Sequence, residues 1–233
     1  MSKLKSYEEW WTNNLGNKKY LHNGKETDAP SIVDFENWMG DPFDKDRIKA
    51  RRLFGKFNTI LDAGCGACPE YFGIKKMYKN ITYTGLDITP KLVEYNRSRG
   101  IDCECGSLNQ IPFRDSSFDI SHSRHVVEHM NDIEKPLSEL IRVSKLRVYI
   151  SFFIKPNSTK EHIRTLDNEG TEGEIYHNNY SKYLINKQLK NNKKVKNFRW
   201  LKLKPSELLI VNMESNIKYT NNFVRIRNIF FNF

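Results

Sequence analysis

The sequence predicts an α/β protein with a mostly parallel sheet and helices on both faces. Between positions 57 and 153, apolar strand-like runs alternate with helical segments, which is typical of parallel strands joined by crossover helices. The first run ends in a glycine-rich turn, ILDAGCGACPE at 60–70. Asp62, Asp87, Ser107 and the stretch after His122 all fall where an apolar run ends. Because ligands bind beyond the carboxyl ends of the strands in such sheets, we expect these residues to share one site.

The individual elements follow from periodicity and from the positions of glycine and proline. We predict strands over 58–62, 81–87, 101–105, 118–122 and 147–153. We predict helices over 69–79, 90–99, 134–143 and 181–191, and a further helix around 125–130. Residues 162–180 are polar and contain two glycines, which favours a loop or an insertion. Residues 195–203 and 208–213 can pair as a hairpin through 204–206.

The segment before this alternation, residues 1–55, is predicted to form a helical cap or extension. Four apolar residues are spaced as one face of a short helix: Tyr7, Trp10, Trp11 and Leu15. A second apolar cluster comprises Ile32, Val33, Phe35, Trp38 and Met39. The predicted domain limits are therefore 1–55 for the cap, 56–213 for the α/β domain, and 214–233 for a tail whose structure the sequence does not predict.

Composition argues against a membrane-spanning protein. Hydrophobic residues make up 38% of the 233 residues, and the mean hydropathy is −0.68. No run approaches the roughly 18 apolar residues of a membrane span. The basic start MSKLKSYEEWW is not followed by the apolar region of a secretory signal. We therefore expect a cytoplasmic protein.

The excess of positive charge lies in the last third of the chain. The formal net charge is +10, and residues 151–233 contain 15 basic and 7 acidic residues, a charge of +8. Between Lys182 and Lys204 there are nine Lys or Arg residues and no acid, with Phe198 and Trp200 among them. A basic stripe with aromatic residues can bind nucleic acid. We favour the alternative, a compositional bias of a chain that is also rich in Asn, Lys and Ile.

The four cysteines occur as two closely spaced pairs, Cys65-x-x-Cys68 and Cys103-x-Cys105. Such pairs can indicate zinc or redox sites. However, the first pair lies inside the glycine turn, and a single residue separates the second. We therefore expect reduced thiols at strand ends and no metal site.

The glycine turn indicates which kind of ligand binds. The dinucleotide fingerprint G-x-G-x-x-G begins in the same way, but Pro69 occupies the third glycine position and Asp62 lies two residues before the first glycine. A carboxylate repels a pyrophosphate and attracts a ligand that carries an ammonium and a sulfonium. Asp62-x-Gly64-x-Gly66 therefore favours S-adenosylmethionine (SAM) over NAD. Here the sequence resembles the class I SAM-dependent methyltransferases, whose first motif is an acidic residue followed by G-x-G.

The resemblance extends over about 57–153 and implies a fold and a cofactor. The fold would be a Rossmann-like, seven-stranded, mostly parallel sheet with an antiparallel hairpin at the C-terminal end. The cofactor would be S-adenosyl-L-methionine, with S-adenosyl-L-homocysteine as product. The methionine end would be bound at Asp62, Gly64, Cys65 and Gly66, and the site would also include Ile88 and Ser123.

Two further positions correspond to the ribose and the adenine of SAM. Asp87 ends the second strand, and a carboxylate there can accept hydrogen bonds from both ribose hydroxyls. The alternative role, a helix N-cap, is already available to Thr89 before Pro90. The run from Gly106 to 119 resembles the family's G-D-A…L-P-F…D-x-S-F-D stretch, in which the acidic residue bonds the adenine amino group. Here Ser107 replaces that acid, with Leu108 next to it, so the contact would be weaker than one to a carboxylate.

Two histidines follow the fourth strand, where the family places the methyl group. Methyl transfer requires alignment most, and it requires a base only if the acceptor loses a proton. His125 and His129 are four residues apart, so a helix would place them on one face. Neutral imidazole suits the role of the base. His129 is the first candidate and His125 the second; the structural alternative is a histidine bonded to a neighbouring loop.

The same residues spell His125-x-x-Glu128-His129, the H-x-x-E-H pattern of one class of zinc proteases. It also resembles the E-x-x-E-H metal site of some O-methyltransferases, with His125 in place of the first Glu. The match is short and a third zinc ligand is not identified, so we predict no metal.

The favoured interpretation is a SAM-dependent methyltransferase that acts on a small-molecule or sugar acceptor, on oxygen. Three alternatives stay open: an RNA methyltransferase that uses Lys182–Lys204, a non-catalytic module with the SAM-binding fold, and a zinc hydrolase. The sequence predicts neither the acceptor nor the oligomeric state.

Overall fold

The computed structural model of the chain describes residues 19–22, 25–28, 32–167 and 175–214. Its strands are β1 (Lys19–His22), β2 (Lys25–Asp28), β3 (Thr59–Ala63), β4 (Thr82–Asp87), β5 (Cys103–Cys105), β6 (Phe118–Arg124), β7 (Ser144–Phe152), β8 (Ile163–Asp167), β9 (Ile175–Asn179), β10 (Val195–Lys202) and β11 (Glu207–Met213). Its helices are α1 (Ile32–Trp38), α2 (Lys45–Arg52), α3 (Pro69–Met77), α4 (Pro90–Ser98), α5 (Glu134–Val143) and α6 (Lys182–Asn191), and Val127–His129 forms a 3-10 turn.

Seven strands form one sheet in the order β10-β11-β7-β6-β3-β4-β5. The strands from β7 to β5 in this order run parallel, whereas β11 and β10 are antiparallel additions at the other edge. From β3 the chain adds β4 and β5 on one side, and it then returns to place β6 on the other side of β3. The crevice beyond the carboxyl ends of β3 and β6 is therefore the topological switch point. The predicted α/β architecture, with its C-terminal hairpin, is confirmed.

Burial on both faces explains why the central strands read as continuous apolar runs. Ile60, Leu61 and Ile120 are each 0% exposed, although neighbours along a strand point to opposite faces. The apolar stripe of α5 covers one face through Leu137 and Leu140. The opposite face packs against the end of α2 and the aromatic residues that follow it. The strand ends are thereby fixed within a rigid frame.

The structure differs from the predicted elements in three places. Residues 162–180, predicted as a loop, contain β8 and β9, which pair as a separate antiparallel hairpin. The cap, predicted to be helical, does contain α1 and α2, but it also contains β1 and β2, which pair antiparallel. The predicted helix around 125–130 is a single 3-10 turn, because His125 has a φ of +57° and cannot continue a right-handed helix. The helix predicted around Tyr7–Leu15, and the tail after Glu214, lie outside the described residues.

The described part of the cap contacts the α/β domain beside the glycine turn. Ile32 and Met39 pack against Ala67 and Leu92. Glu36 of α1 forms an ion pair with Arg99 at 2.5 Å. The predicted domain limits stay a prediction. Within the described residues, every helix is too short or too polar to cross a lipid bilayer.

Candidate cofactor and active site

The glycine turn links the carboxyl end of β3 to the N-terminus of α3. The backbone N–H groups of Gly64 and Cys65 both donate to the carbonyl of Leu86, at 2.7 and 3.0 Å, and fix the turn to β4. Gly64 has a φ of +77°. A Cβ at this position would lie 2.8 Å from Cγ1 of Val126 and closer still to Cγ2. Both the conformation and the close approach therefore require glycine.

Asp87 joins the end of β4 to the same turn. Its Oδ2 accepts a hydrogen bond from the N–H of Gly66 at 2.8 Å, and its Oδ1 accepts one from the N–H of Thr89 at 2.9 Å. Thr89 makes no side-chain capping bond. Burial raises the pKa of Asp87. Each carboxylate oxygen has a second lone pair, so the group can still accept two hydrogen bonds from a ligand.

Asp62 is held from inside the fold. Its Oδ2 accepts a hydrogen bond from the hydroxyl of Tyr83 at 2.7 Å, and its Oδ1 lies 3.3 Å from Nδ1 of His122. The residue is 2% exposed. Its carboxylate therefore links the start of the turn to β4 on one side and to β6 on the other.

The remaining predicted cofactor residues lie along the same edge of the sheet. The Ser107 hydroxyl accepts a hydrogen bond from the N–H of Asn109 at 3.2 Å, whereas Leu108 is 4% exposed and belongs to the core. Ile88 follows Asp87 directly and is partly exposed. Ser123 is fully buried near the end of β6, and its hydroxyl has no hydrogen-bond partner within the described part of the chain. Such an orphaned polar group is suited to a ligand.

The two candidate catalytic histidines meet on one aromatic side chain. The ring centroids of His125 and His129 each lie 5.4 Å from that of Phe153, which follows β7. His177 of β9 lies 5.1 Å from His129. The histidines are thus brought together although the predicted helix is absent. Sequence reasoning missed Phe153 and His177, because the first was assigned only to a strand and the second to a loop.

The hydrogen bonds around His125 fix its tautomer. The hydroxyl of Ser206 donates to Oδ2 of Asp46 at 2.9 Å, so its oxygen must accept from Nε2–H of His125, 3.1 Å away. Asp46 is held by an ion pair with Arg124 at 2.7 Å. Nδ1 of His125 is therefore the acceptor. Burial, followed by the charge of Arg124, lowers the pKa of His125 to about 2, so the ring stays neutral.

Comparisons with known proteins identify the domain that carries this geometry. Residues 61–152 match the family model described as "Methyltransferase domain". The chain is 30% identical over 97 residues to ajmaline N-methyltransferase of Rauvolfia serpentina, covering 38% of this chain and 33% of that protein. It is 34% identical over 87 residues to malonyl-[acyl-carrier protein] O-methyltransferase of Erwinia billingiae, covering 36% and 34%. The chain thus spans about a third of the length of these curated relatives.

Solved structures share the fold over most of the chain. A SAM-dependent methyltransferase from Methanosarcina mazei superimposes with a TM-score of 0.55 at 15% identity, covering 71% of this chain and 96% of that one. One from Mesorhizobium loti gives 0.54 at 13% identity, covering 74% and 100%. Residues 61–152, which the family model matches, include the glycine turn and Asp87. Residues 61–152 thus match a methyltransferase domain, and the sheet has the fold of SAM-dependent methyltransferases.

The zinc-hydrolase pattern is not assembled in this methyltransferase domain. Oε1 of Glu128 accepts from the N–H of Phe153 at 2.6 Å, and its buried Oε2 has no hydrogen-bond partner among the residues that the structure describes. Burial raises the pKa of Glu128 to about 8. Among the described His, Cys, Asp and Glu side chains, the one group close enough to hold a metal is a cysteine cluster that excludes His125, Glu128 and His129.

A buried ionic cluster beside the methyltransferase turn was also missed. Glu70, in the first turn of α3, forms ion pairs with Arg51 at 2.7 Å and with Arg47, both from α2. Arg47 also donates to the carbonyl of Met39 at 2.6 Å, and Sδ of Met39 accepts from the N–H of Ala67. The sequence offers no period or motif that would reveal these contacts.

The basic stretch 182–204 forms α6 and the edge strand β10 of the methyltransferase sheet. Phe198 and Trp200 are partly buried against the core, which leaves less of each ring available to stack on bases. Lys182 pairs with Glu207 at 2.6 Å and Lys194 with Asp115 at 3.1 Å. Lysines on an exposed edge strand also prevent pairing with another sheet.

Proposed function

We propose that the chain is a SAM-dependent methyltransferase with a small-molecule or sugar acceptor, methylated on oxygen. The observation that carries the proposal is the junction at which Asp87 binds the N–H of Gly66, because it joins a carboxylate to the glycine turn at the switch point. The orphaned hydroxyl of Ser123 supports it, since this buried group lies on the adjoining strand end. SAM supplies an electrophilic methyl group when bound.

The residues would divide into binding and positioning roles. Asp87 would accept the ribose hydroxyls with its free lone pairs, while Gly64 and Gly66 allow the backbone to approach the methionine end. Ser107 would face the adenine, although its hydroxyl already accepts one backbone hydrogen bond. Asp62 would act on the cofactor through the turn, because Tyr83 and His122 occupy its carboxylate.

The histidines would face the acceptor. A general base works best when its pKa lies near the working pH. His125, with a pKa of about 2, is a poor base, and its Nε2–H is committed to Ser206. His129 is therefore the proposed base for an acceptor hydroxyl. His125 and Phe153 would position the acceptor beside it.

The proposal is tested by calorimetric titration with SAM and with S-adenosylhomocysteine. We expect micromolar binding of both by the wild type and at least about tenfold weaker binding by Asp87→Ala, because hydrogen bonds to a charged group contribute about 1.5–3 kcal/mol each. Asp102→Ala is the matched control, since this exposed carboxylate precedes β5 and bonds only Thr84 among the described residues. Failure of the folded wild type to bind either ligand would refute the proposal.

The acceptor class is tested next, with labelled SAM and a panel of hydroxylated small molecules, sugars and RNA. We expect transfer to a small hydroxylated acceptor, with loss of turnover but not of SAM binding in His129→Ala. Transfer to RNA, with affinity that falls steeply as salt rises, would instead support the nucleic-acid alternative and the basic stretch. Binding without turnover on the whole panel would support a non-catalytic module.

A further inference from the structure

Three of the four cysteines converge beneath the glycine turn. The sulfur atoms of Cys65 and Cys103 are 3.6 Å apart. Those of Cys65, Cys68 and Cys103 all lie within 4.8 Å of one another. The three residues are 2%, 0% and 1% exposed, respectively. Cys105, two residues further along β5, is exposed and lies outside this cluster.

The fold builds the cluster from both of the pairs that the sequence kept separate. Gly85 of β4 is the register partner of Cys103 on β5, whereas Cys65 and Cys68 follow the end of β3 on the other side. A Cβ on Gly85 would lie 2.8 Å from Sγ of Cys65 and 3.2 Å from each of the other two sulfurs. The missing side chain of Gly85 thus leaves the space into which all three thiols point.

Two further features are specific to this cluster. Cys68 has a φ of +56° and makes no side-chain cap bond, which is an unfavourable conformation for a residue with a Cβ. Burial raises the pKa of Cys65, whereas hydrogen bonds from the Cys65 and Cys68 thiols lower the pKa of Cys103.

We propose that Cys65, Cys68 and Cys103 form a binding site for one thiolate-bound ion of the zinc class. Zinc binds sulfur at about 2.3 Å, so two sulfurs on a tetrahedral ion lie about 3.8 Å apart. The observed separations of 3.6 Å and at most 4.8 Å need only small shifts. Sulfur ligands select soft ions over magnesium or calcium.

A disulfide accounts for the cluster less well. It would use two sulfurs, at about 2.05 Å, and leave the third without a partner. An ion uses all three and leaves one tetrahedral position for a further donor. It would tie together β5, the glycine turn and the first residue before α3. The inference does not rest on the proposed methyl transfer, because the ion would act on the turn and not on the acceptor.

The test is a metal analysis of the full chain. Protein expressed with zinc and purified under reducing conditions without chelator should contain about one zinc per chain. After chelation, titration with Cd²⁺ should give thiolate-to-metal charge-transfer absorption that saturates at one equivalent, and zinc should raise the melting temperature. Cys103→Ser and Cys68→Ser should each weaken Cd²⁺ binding at least about tenfold. Cys105→Ala, the matched control on the same strand, should bind as the wild type does.

Three results would overturn the inference. One is a folded, fully reduced wild type that holds no zinc and gives no cadmium band. Another is a Cys105→Ala variant that loses binding as completely as Cys103→Ser. The third is a thiol count that is two short in the wild type and is restored by reductant, which would identify a disulfide. If a serine variant does not fold, the wild-type zinc content and cadmium stoichiometry still decide the question.

Discussion

Replacing Glu70 by Gln should strongly destabilise the fold. The side chains of Glu70, Arg47 and Arg51 are 4%, 5% and 1% exposed. The substitution leaves the buried guanidinium of Arg51 without its counter-charge, and it leaves Arg47 with only its pair to the 37% exposed Asp44, at 3.4 Å. Breaking a buried ion pair from one side costs about 3–5 kcal/mol. The retained bond from Arg47 to the Met39 carbonyl offsets only part of this. The expected loss is therefore a large fraction of the roughly 5–15 kcal/mol by which domains are stable.

Urea denaturation at pH 7, followed by circular dichroism, measures this loss. The control is Glu104→Gln, because Glu104 and Arg97 form an ion pair at 2.9 Å with side chains 48% and 50% exposed. An exposed pair should contribute less than about 1 kcal/mol. A Glu70→Gln loss no larger than that of the control, with an unchanged slope against urea, would refute the reasoning.

The pH dependence of this prediction follows from the pKa of Glu70. Burial alone would raise that pKa, but the charges of His122, Arg47 and Arg51 lower it below the usual value of 4.5. The ion pairs therefore contribute fully above pH 4.5, and the contribution is lost as pH falls through the lowered pKa. The difference in stability between the wild type and Glu70→Gln should accordingly shrink in acid.

Three further outcomes are expected. Gly64→Ala should lower the melting temperature more than Gly100→Ala does. Both residues have a positive φ, of +77° and +73°, so the backbone strain is similar, but only at Gly64 would the new Cβ collide with a neighbour, Val126. The stabilising contribution of Glu128 should fall as pH rises from about 5 to 8, because its folded pKa is raised to about 8 and the fold binds a proton that the unfolded chain releases; the stability difference between the wild type and Glu128→Gln, from urea titrations at several pH values, checks this. Ser206→Ala should cost about 1–3 kcal/mol by leaving Nε2–H of His125 unpaired, while Ser98→Ala on the surface should cost less, as measured by urea denaturation.

The central sheet could be predicted because its signals are local. Each parallel strand is a short apolar run, and glycine or proline marks the turns; α5 was predicted with its observed limits, Glu134–Val143. The β8–β9 hairpin could not be predicted, because its residues do not alternate between apolar and polar as those of a half-buried strand do. The helix around 125–130 was predicted from the alternation of strands and helices, whereas the backbone at His125 turns left-handed and its N–H donates to the carbonyl of Ser151. That contact comes from a distant part of the chain.

Some residues of the candidate site could likewise be predicted from local signals, and others could not. Asp87 and the glycines were found because they end a strand, and any parallel sheet brings such positions to one edge. Phe153, Ser206 and Asp46 were missed because their roles depend on side chains that meet across the sheet. The cysteine pairs were considered separately, and the register of β4 against β5 is what brings Cys103 to Cys65. Register cannot be read from the spacing of residues along the chain.

Asp62 offers a final test of how the site selects its ligand. The sequence argument assigned it a direct attraction for a cationic ligand, but its carboxylate is bound by Tyr83 and lies against His122. If Asp62 acts through the turn, Asp62→Asn should lower the melting temperature as Tyr83→Phe does, and both should weaken SAM binding by a similar factor. Asp87→Ala should instead weaken binding more than it lowers the melting temperature. Full stability in Asp62→Asn, together with lost SAM binding, would show that the carboxylate contacts the ligand directly.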